Sequence, residues 1–314
     1  MKRKINLLLK SSQCFFFVAG TFFLLFFLLP FSTVKPLFDS LTPDKNLEAF
    51  TLDFYQIAAP ILFGMGVFFL LLFFIPYLFP NKSYEYAKSF LSSLRAIPAR
   101  LRQDARQFWN LTWLDLRSNR DWLILLFFML LGGVLRVLVI NKPLTHDEAY
   151  TYIGFTSRGF DVVISDYHMP NNHILYSIFV YLSVHLLGNA PWVIRFPALV
   201  AGIALIPATY LAARAYFNRE TALITSGIIS IFPVFMLYGT SARGYAQLAL
   251  LSVLLWWLAT LLLKRKNLFI WLLFILIAAA GFYTIPIMLY PFASIMAWLF
   301  VRYLLGRYSS AYKK

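Results

Sequence analysis

The chain has 314 residues, of which 61% are hydrophobic and 13% charged, and its mean hydropathy is +0.71. A soluble domain averages about 25% charged residues, and the apolar segments recur along the whole length, so a soluble globular protein is excluded. The net charge of +15 in so apolar a chain reads as basic loops facing anionic lipid rather than as a nucleic-acid surface, and the single cysteine, Cys14, rules out an intramolecular disulfide.

The chain opens on the basic stretch MKRKINLLLK, followed by a long apolar run with no small-residue cleavage site close behind, which reads as an uncleaved anchor. A spanning helix needs about 20 apolar residues. Candidate spans are 14–31, 57–79, 122–140, 196–213, 221–238, 245–263, 268–282 and 284–304. The last two are one apolar stretch, split at GFYTIP, where Gly281 and Pro286 bracket Thr284. The expected fold class is therefore an all-α polytopic membrane protein, a helix bundle of about eight spans. Between the second and third spans, 81–121 is basic and weakly amphipathic, and is expected on the inner leaflet. Residues 1–121 are expected to form an N-terminal unit of two spans and this basic loop, with 122–314 as the main transmembrane region.

One apolar stretch, 173–187, is too short. At about 1.5 Å per residue it reaches about 22 Å, against a hydrocarbon core of about 30 Å. Loop charge decides its placement. If it lies along the membrane surface and the N-terminus is inside, 21 of the 28 Lys and Arg fall on the inner side and 6 outside; if it spans, the division is 14 against 13. The positive-inside rule favours the surface helix. The acids Asp39, Asp44, Glu48, Asp53, Asp147, Glu148, Asp161 and Asp166 then all lie outside. The long outer loop 141–195 holds the Asp147–Glu148 pair and the HMPNNH stretch at 168–173, and the short outer turns YGTSARGY (238–245) and GFYT (281–284) face it.

The plain reading of the acid pair is a capping box from Thr145 to Glu148, with Asp147 in the first helical turn, where the helix dipole favours an anion. Three features point further: the pair sits at the mouth of a span, it is followed by Tyr150 and Tyr152, and the same loop supplies the Asn-Asn-His cluster. A carboxylate at a water–lipid boundary is well placed to take a proton from an acceptor hydroxyl whose co-substrate is a lipid. Glu148 can cap while Asp147 works.

The stretches THDEAYTY, MPNNHILYSIFVYLSVHLLG, APWVIRFPALVAGIALIPATYLAARAYF and YGTSARGYAQLALL resemble, in that order over about 120–300, the bacterial protein O-mannosyltransferase-like family of GT-C polytopic glycosyltransferases. Its members transfer a sugar from a polyprenyl-phosphate lipid to an acceptor, with inversion, at the extracytoplasmic face, and carry helices lying along the membrane in the corresponding loop. The resemblance implies Asp147 as the catalytic general base and Glu148 as its orienting neighbour, Asn172 and His173 facing the donor, and Arg243 and Tyr245 near the active site. A lipid-phosphate leaving group needs a guanidinium or imidazole close by, which makes Arg243, His173 and Arg158 the outer-face candidates. Arg136 is a weaker one, since an Arg near a helix end can snorkel.

Plainer roles stand beside these. Arg243 and Arg195 can be anchors to lipid phosphate, and His168 and His173 ordinary loop residues. No cofactor is implied; a divalent metal held by His168, His173, Asp147 and Glu148 stays open, although the spacing fits no established ligand pattern. The partners implied are the bilayer and a polyprenyl-phosphate-linked sugar, with the acceptor unassigned and no nucleic acid. The expected location is a bacterial inner membrane, N-terminus cytoplasmic and site extracytoplasmic. Family members run longer, so the chain reads as the family's front half behind an extra N-terminal unit. The alternative function is a non-catalytic or truncated protein that binds or moves a lipid-linked sugar. A solute transporter is disfavoured, because no predicted span carries an acid near its centre.

Overall fold

A computed structural model describes residues 2–40, 50–117, 120–167 and 171–308. Asp44, Glu48 and His168 lie outside the described residues. The described chain is helical, with no strand among those residues, as an all-α polytopic membrane protein requires. It forms two compact units, 1–99 and 100–314.

In the first unit α1 (Lys2–Leu28) and α3 (Leu52–Leu78) pack against each other. They approach at Gly20 and Gly66, where a Cβ on either would lie 3.1 Å from the other's carbonyl oxygen. Short α2 (Phe31–Asp39) starts behind Pro30 and joins an aromatic cluster of Phe31, Phe38, Phe50 and Tyr55. The Tyr55 hydroxyl donates to the Phe26 and Leu29 carbonyls at the end of α1. The division between units falls inside the long basic helix α4 (Pro80–Arg117).

The second unit begins within α4, at residue 100, and the end of that helix is tied to later elements. The Asp104 carboxylate accepts from Leu268 N at 2.7 Å, its carbonyl accepts from the Asn267 amide at 3.1 Å, and Phe108 packs on Trp257. α5 (Asp121–Val139) is fixed at its start by Asp121, which is buried between Arg219 and the Tyr210 hydroxyl, both at 2.6 Å. The loop after it holds α6 (His146–Tyr150), a π turn over Thr151–Phe155, α7 (Phe160–Ser165) and α8 (Ile174–Leu187).

Helix α9 (Pro191–Tyr216) is the hub; α5, α8, α10 (Arg219–Ile231) and α12 (Tyr245–Lys264) all pack on it. Its buried face is small where neighbours come closest, at Ala198, Ala201, Gly202 and Ala208. α13 (Leu268–Thr284) and α14 (Leu289–Tyr308) complete the unit around Leu255, Leu258, Phe274 and Met288.

Six of the eight expected spans are helices long and apolar enough to cross a membrane: α1, α3, α5, α9, α12 and Pro286–Leu305. The other two differ for local reasons. The stretch 221–238 breaks into α10 and α11 (Pro233–Tyr238), since Pro233 has no N–H to continue the ladder. α13 has 17 residues, started by the Asn267 side chain, which accepts from Ile270 N, and stopped ahead of Pro286. Gly281 lets the chain fold back there, because a Cβ would sit 2.7 Å from Met288.

Candidate active site

The acid pair is divided by geometry. Glu148 closes the capping box: its Oε2 accepts from the Thr145 backbone at 2.8 Å and from the Thr145 hydroxyl at 2.9 Å. It also meets Arg195 in a two-point pair, Nε to Oε1 and Nη2 to Oε2, both at 2.8 Å, and Oε1 accepts from Ala242 N at 2.7 Å. Both side chains are buried, at 0% and 1% exposure. Burial raises the Glu148 pKa, but the Arg195 guanidinium and the two backbone donors outweigh it and hold the carboxyl down at about 2. Every oxygen of Glu148 is occupied, so this residue joins α6, α9 and the 238–245 turn and has nothing left to offer a substrate.

Arg195 is more than an anchor to lipid. Its remaining N–H groups donate to the carbonyls of Ile140, Lys142 and Pro143. The segment leading from α5 to α6 is thus wrapped around one guanidinium, the geometry that five fixed donors permit.

Asp147 has the opposite environment. Its side chain is 63% exposed, and its Oδ2 lies 2.6 Å from Arg243 Nη1. Arg243 in turn reaches the Tyr245 hydroxyl at 3.4 Å and lies 5.4 Å from that ring's centre, while its Nε has no hydrogen-bond partner. His173 is buried beneath them. Gly244 N donates to its Nδ1 at 2.7 Å, which puts the imidazole proton on Nε2, and that buried atom has no partner. Burial first, and the Arg243 charge second, push the His173 pKa down to about 4, with Asp147 opposing, so the ring is neutral at physiological pH. Its ring meets Tyr245 edge-on at 5.2 Å, and Tyr245 meets Tyr238 at 5.1 Å. The contact depends on Gly244: a Cβ there would lie 2.8 Å from Thr284 and 3.1 Å from His173.

Four of the residues expected from the sequence therefore come together: Asp147, His173, Arg243 and Tyr245. Three others do not join them. Asn172 is buried with its amide donating to the Val163 and Asp166 carbonyls, so it shapes the end of α7; its neighbour Asn171 is the one that reaches Asp147, donating to the carbonyl at 3.3 Å. Arg158 contacts Asp166 at 3.5 Å and the Gly154 carbonyl. Arg136 does not snorkel. It is fully buried in a cage of Gly132, Gly202 and Gly239 and donates to the carbonyls of Gly132, Ser230 and Phe235. It satisfies oxygens at the α10–α11 break, at a helix C-terminus where a cation is favoured. No group of three or more His, Cys, Asp or Glu able to hold a metal ion is present among the described residues.

An apolar groove of about 480 Å³ begins within a helical turn of His173 and Gly244, lined by Leu175, Phe179, Leu182, Phe196, Leu250 and Ala280. Its polar residues are Ser183 and Gln247, the latter buried with its Oε1 unpartnered. From the sequence Arg195 is read only as an anchor, Asn171 only as part of the HMPNNH stretch, and Gln247 not at all; a polar residue within an apolar helix is the one signal that marks Gln247.

No curated protein and no solved structure matches this chain. Asp147 and Glu148 precede the region in which a family model does match, whereas Asn171, His173, Arg243, Tyr245 and Gln247 fall inside it. Over residues 171–311, a little under half of its length, the chain is similar to the model of the dolichyl-phosphate-mannose-protein mannosyltransferase family.

Proposed function

We propose that the protein transfers a sugar from a polyprenyl-phosphate carrier to an acceptor hydroxyl at the extracytoplasmic face of a bacterial inner membrane, with inversion at the anomeric carbon. One observation carries the reading: of two adjacent carboxylates, Glu148 is fully consumed by Arg195, Thr145 and Ala242, and Asp147 is exposed beside a guanidinium and a neutral imidazole.

In this reading Asp147 accepts the proton of the acceptor hydroxyl as its oxygen bonds to the anomeric carbon. The bond from that carbon to the phosphate oxygen breaks, and the electron pair leaves with the polyprenyl phosphate. Arg243 and the His173 Nε2–H face the charge that develops there, where preorganised donors act most strongly. Tyr245 forms an aromatic wall against which a sugar ring can stack. The groove lined by Leu175, Phe179 and Leu250 takes the first part of the carrier's hydrocarbon chain. The N-terminus is cytoplasmic, α8 rests on the outer leaflet, and the first unit is an addition to the transferase region.

The test is transfer by membranes carrying Asp147→Asn, which keeps shape and removes the base. Loss of a general base costs about 10²- to 10⁴-fold, and that loss should occur with retained binding of a polyprenyl-phosphate analogue. Transfer equal to that of the unaltered protein removes Asp147 from the role. Binding without turnover in the unaltered protein as well would favour a carrier of lipid-linked sugar instead.

A further inference from the structure

The end of α5 away from Asp147 holds a second groove, which sugar transfer leaves unused. α5 has 19 residues, about 28 Å of helix, and Asp147 follows its C-terminal end. At its N-terminal end a groove of about 560 Å³ is lined by Trp113, Arg117, Trp122, Leu125, Met129 and Pro207, among others. Trp113 and Arg117 are one turn apart on α4 and share a face. Trp122 opens α5. Pro207 lies inside α9, where its ring breaks the regular ladder.

The chemistry of the lining is one-sided. Its strong hydrogen-bonding side chains are a guanidinium and two indole N–H groups, which donate and do not accept. No carboxylate lines it among the described residues. Asp121, next to Trp122, is buried and already held by Arg219 and Tyr210, and Asp115 on α4 is not among the lining residues. The floor is hydrocarbon, from Leu116, Leu125, Leu126 and Met129. A ligand that satisfies both halves has an anionic, acceptor-only head and an apolar tail. Free phosphate would leave the floor empty. Arg and Trp together at one level are also the residues that hold a chain at the headgroup layer.

We propose that this groove binds one anionic phospholipid of the leaflet opposite Asp147, with its phosphate diester on Arg117 and an acyl chain over Leu125 and Met129. The site does not depend on the transferase reading.

The test uses the full chain in nanodiscs of phosphatidylcholine containing a minor fraction of phosphatidylglycerol, with bromine on the acyl chains of one lipid at a time. The signal is quenching of the fluorescence that Trp122→Phe removes. Brominated phosphatidylglycerol should quench it about tenfold more effectively per lipid than brominated phosphatidylcholine, the factor expected for one charge-assisted contact. Arg117→Gln should bring the ratio close to one, and Arg117→Lys should keep most of it. Equal quenching by the two lipids in the unaltered protein overturns the proposal, because contact is then only that of the surrounding bilayer. So does a preference that survives Arg117→Gln, or one abolished by millimolar inorganic phosphate.

Discussion

Two neighbouring acids with the same chemistry end in different roles because one is dry and the other wet. Glu148 lies among donors that fix its ionised form, and Asp147 faces solvent with one cation beside it. Removing one partner of a buried, hydrogen-bonded ion pair costs about 3–5 kcal/mol, so Glu148→Gln should lower the melting temperature while Asp147→Asn leaves it near the unaltered value. The pH dependence has a definite sign. The Glu148 pKa is depressed from 4.5 to about 2 on folding, so its stabilisation is complete above pH 4.5 and is lost as pH falls towards 2. Melting curves across that window should show the unaltered protein losing its advantage over Glu148→Gln; a constant gap would refute the assignment. Gly244 is the other sensitive position. A methyl there meets Thr284 and His173, and such overpacking costs about 1–3 kcal/mol. Gly244→Ala should therefore weaken donor binding and thermal stability together, as measured by titration with a carrier analogue and by melting.

At the level of helices, the break between α10 and α11 turns a would-be span into a support for the site. Pro233 ends the ladder, and Arg136 donates to Ser230 and Phe235 on either side of the break. The turn that carries Arg243 and Tyr245 follows directly on α11. Arg136→Gln would leave carbonyls unsatisfied, each worth about 1–3 kcal/mol. It should lower the melting temperature and reduce transfer without altering the pH dependence of transfer, with Lys restoring part of the loss. The lengths of α8 and α13 have equally local origins: Gly188, with φ +86°, ends the first, and Pro286 follows the second. These signals are short-range, and the split at 281–286 was legible in the sequence for that reason. The break at Pro233 was not, because the apolar run continues through it and hydropathy does not register a missing N–H.

For the whole molecule, the decisive expectation is the side on which each loop lies. With Cys14 replaced by serine and cysteines placed singly, Lys142→Cys should react with an impermeant maleimide applied to intact cells. Arg265→Cys should react only after the membrane is opened. Labelling of Arg265→Cys from outside would reverse the topology of everything after α8.

The sequence by itself determined the membrane class, the helical architecture and the approximate ends of five of the six span-capable helices, and it pointed to Asp147, His173, Arg243 and Tyr245, which the fold brings close together. These follow from hydropathy, chain punctuation and a recognisable order of motifs, all properties of local sequence. Tertiary structure alone decided that Arg195 is a buried clamp on Glu148, which asparagine of the pair reaches Asp147, and that the second unit begins within α4. Each of these is a pairing across 24 to 164 residues, and a donor's partner at that separation is set by how helices pack, which no window along the chain contains.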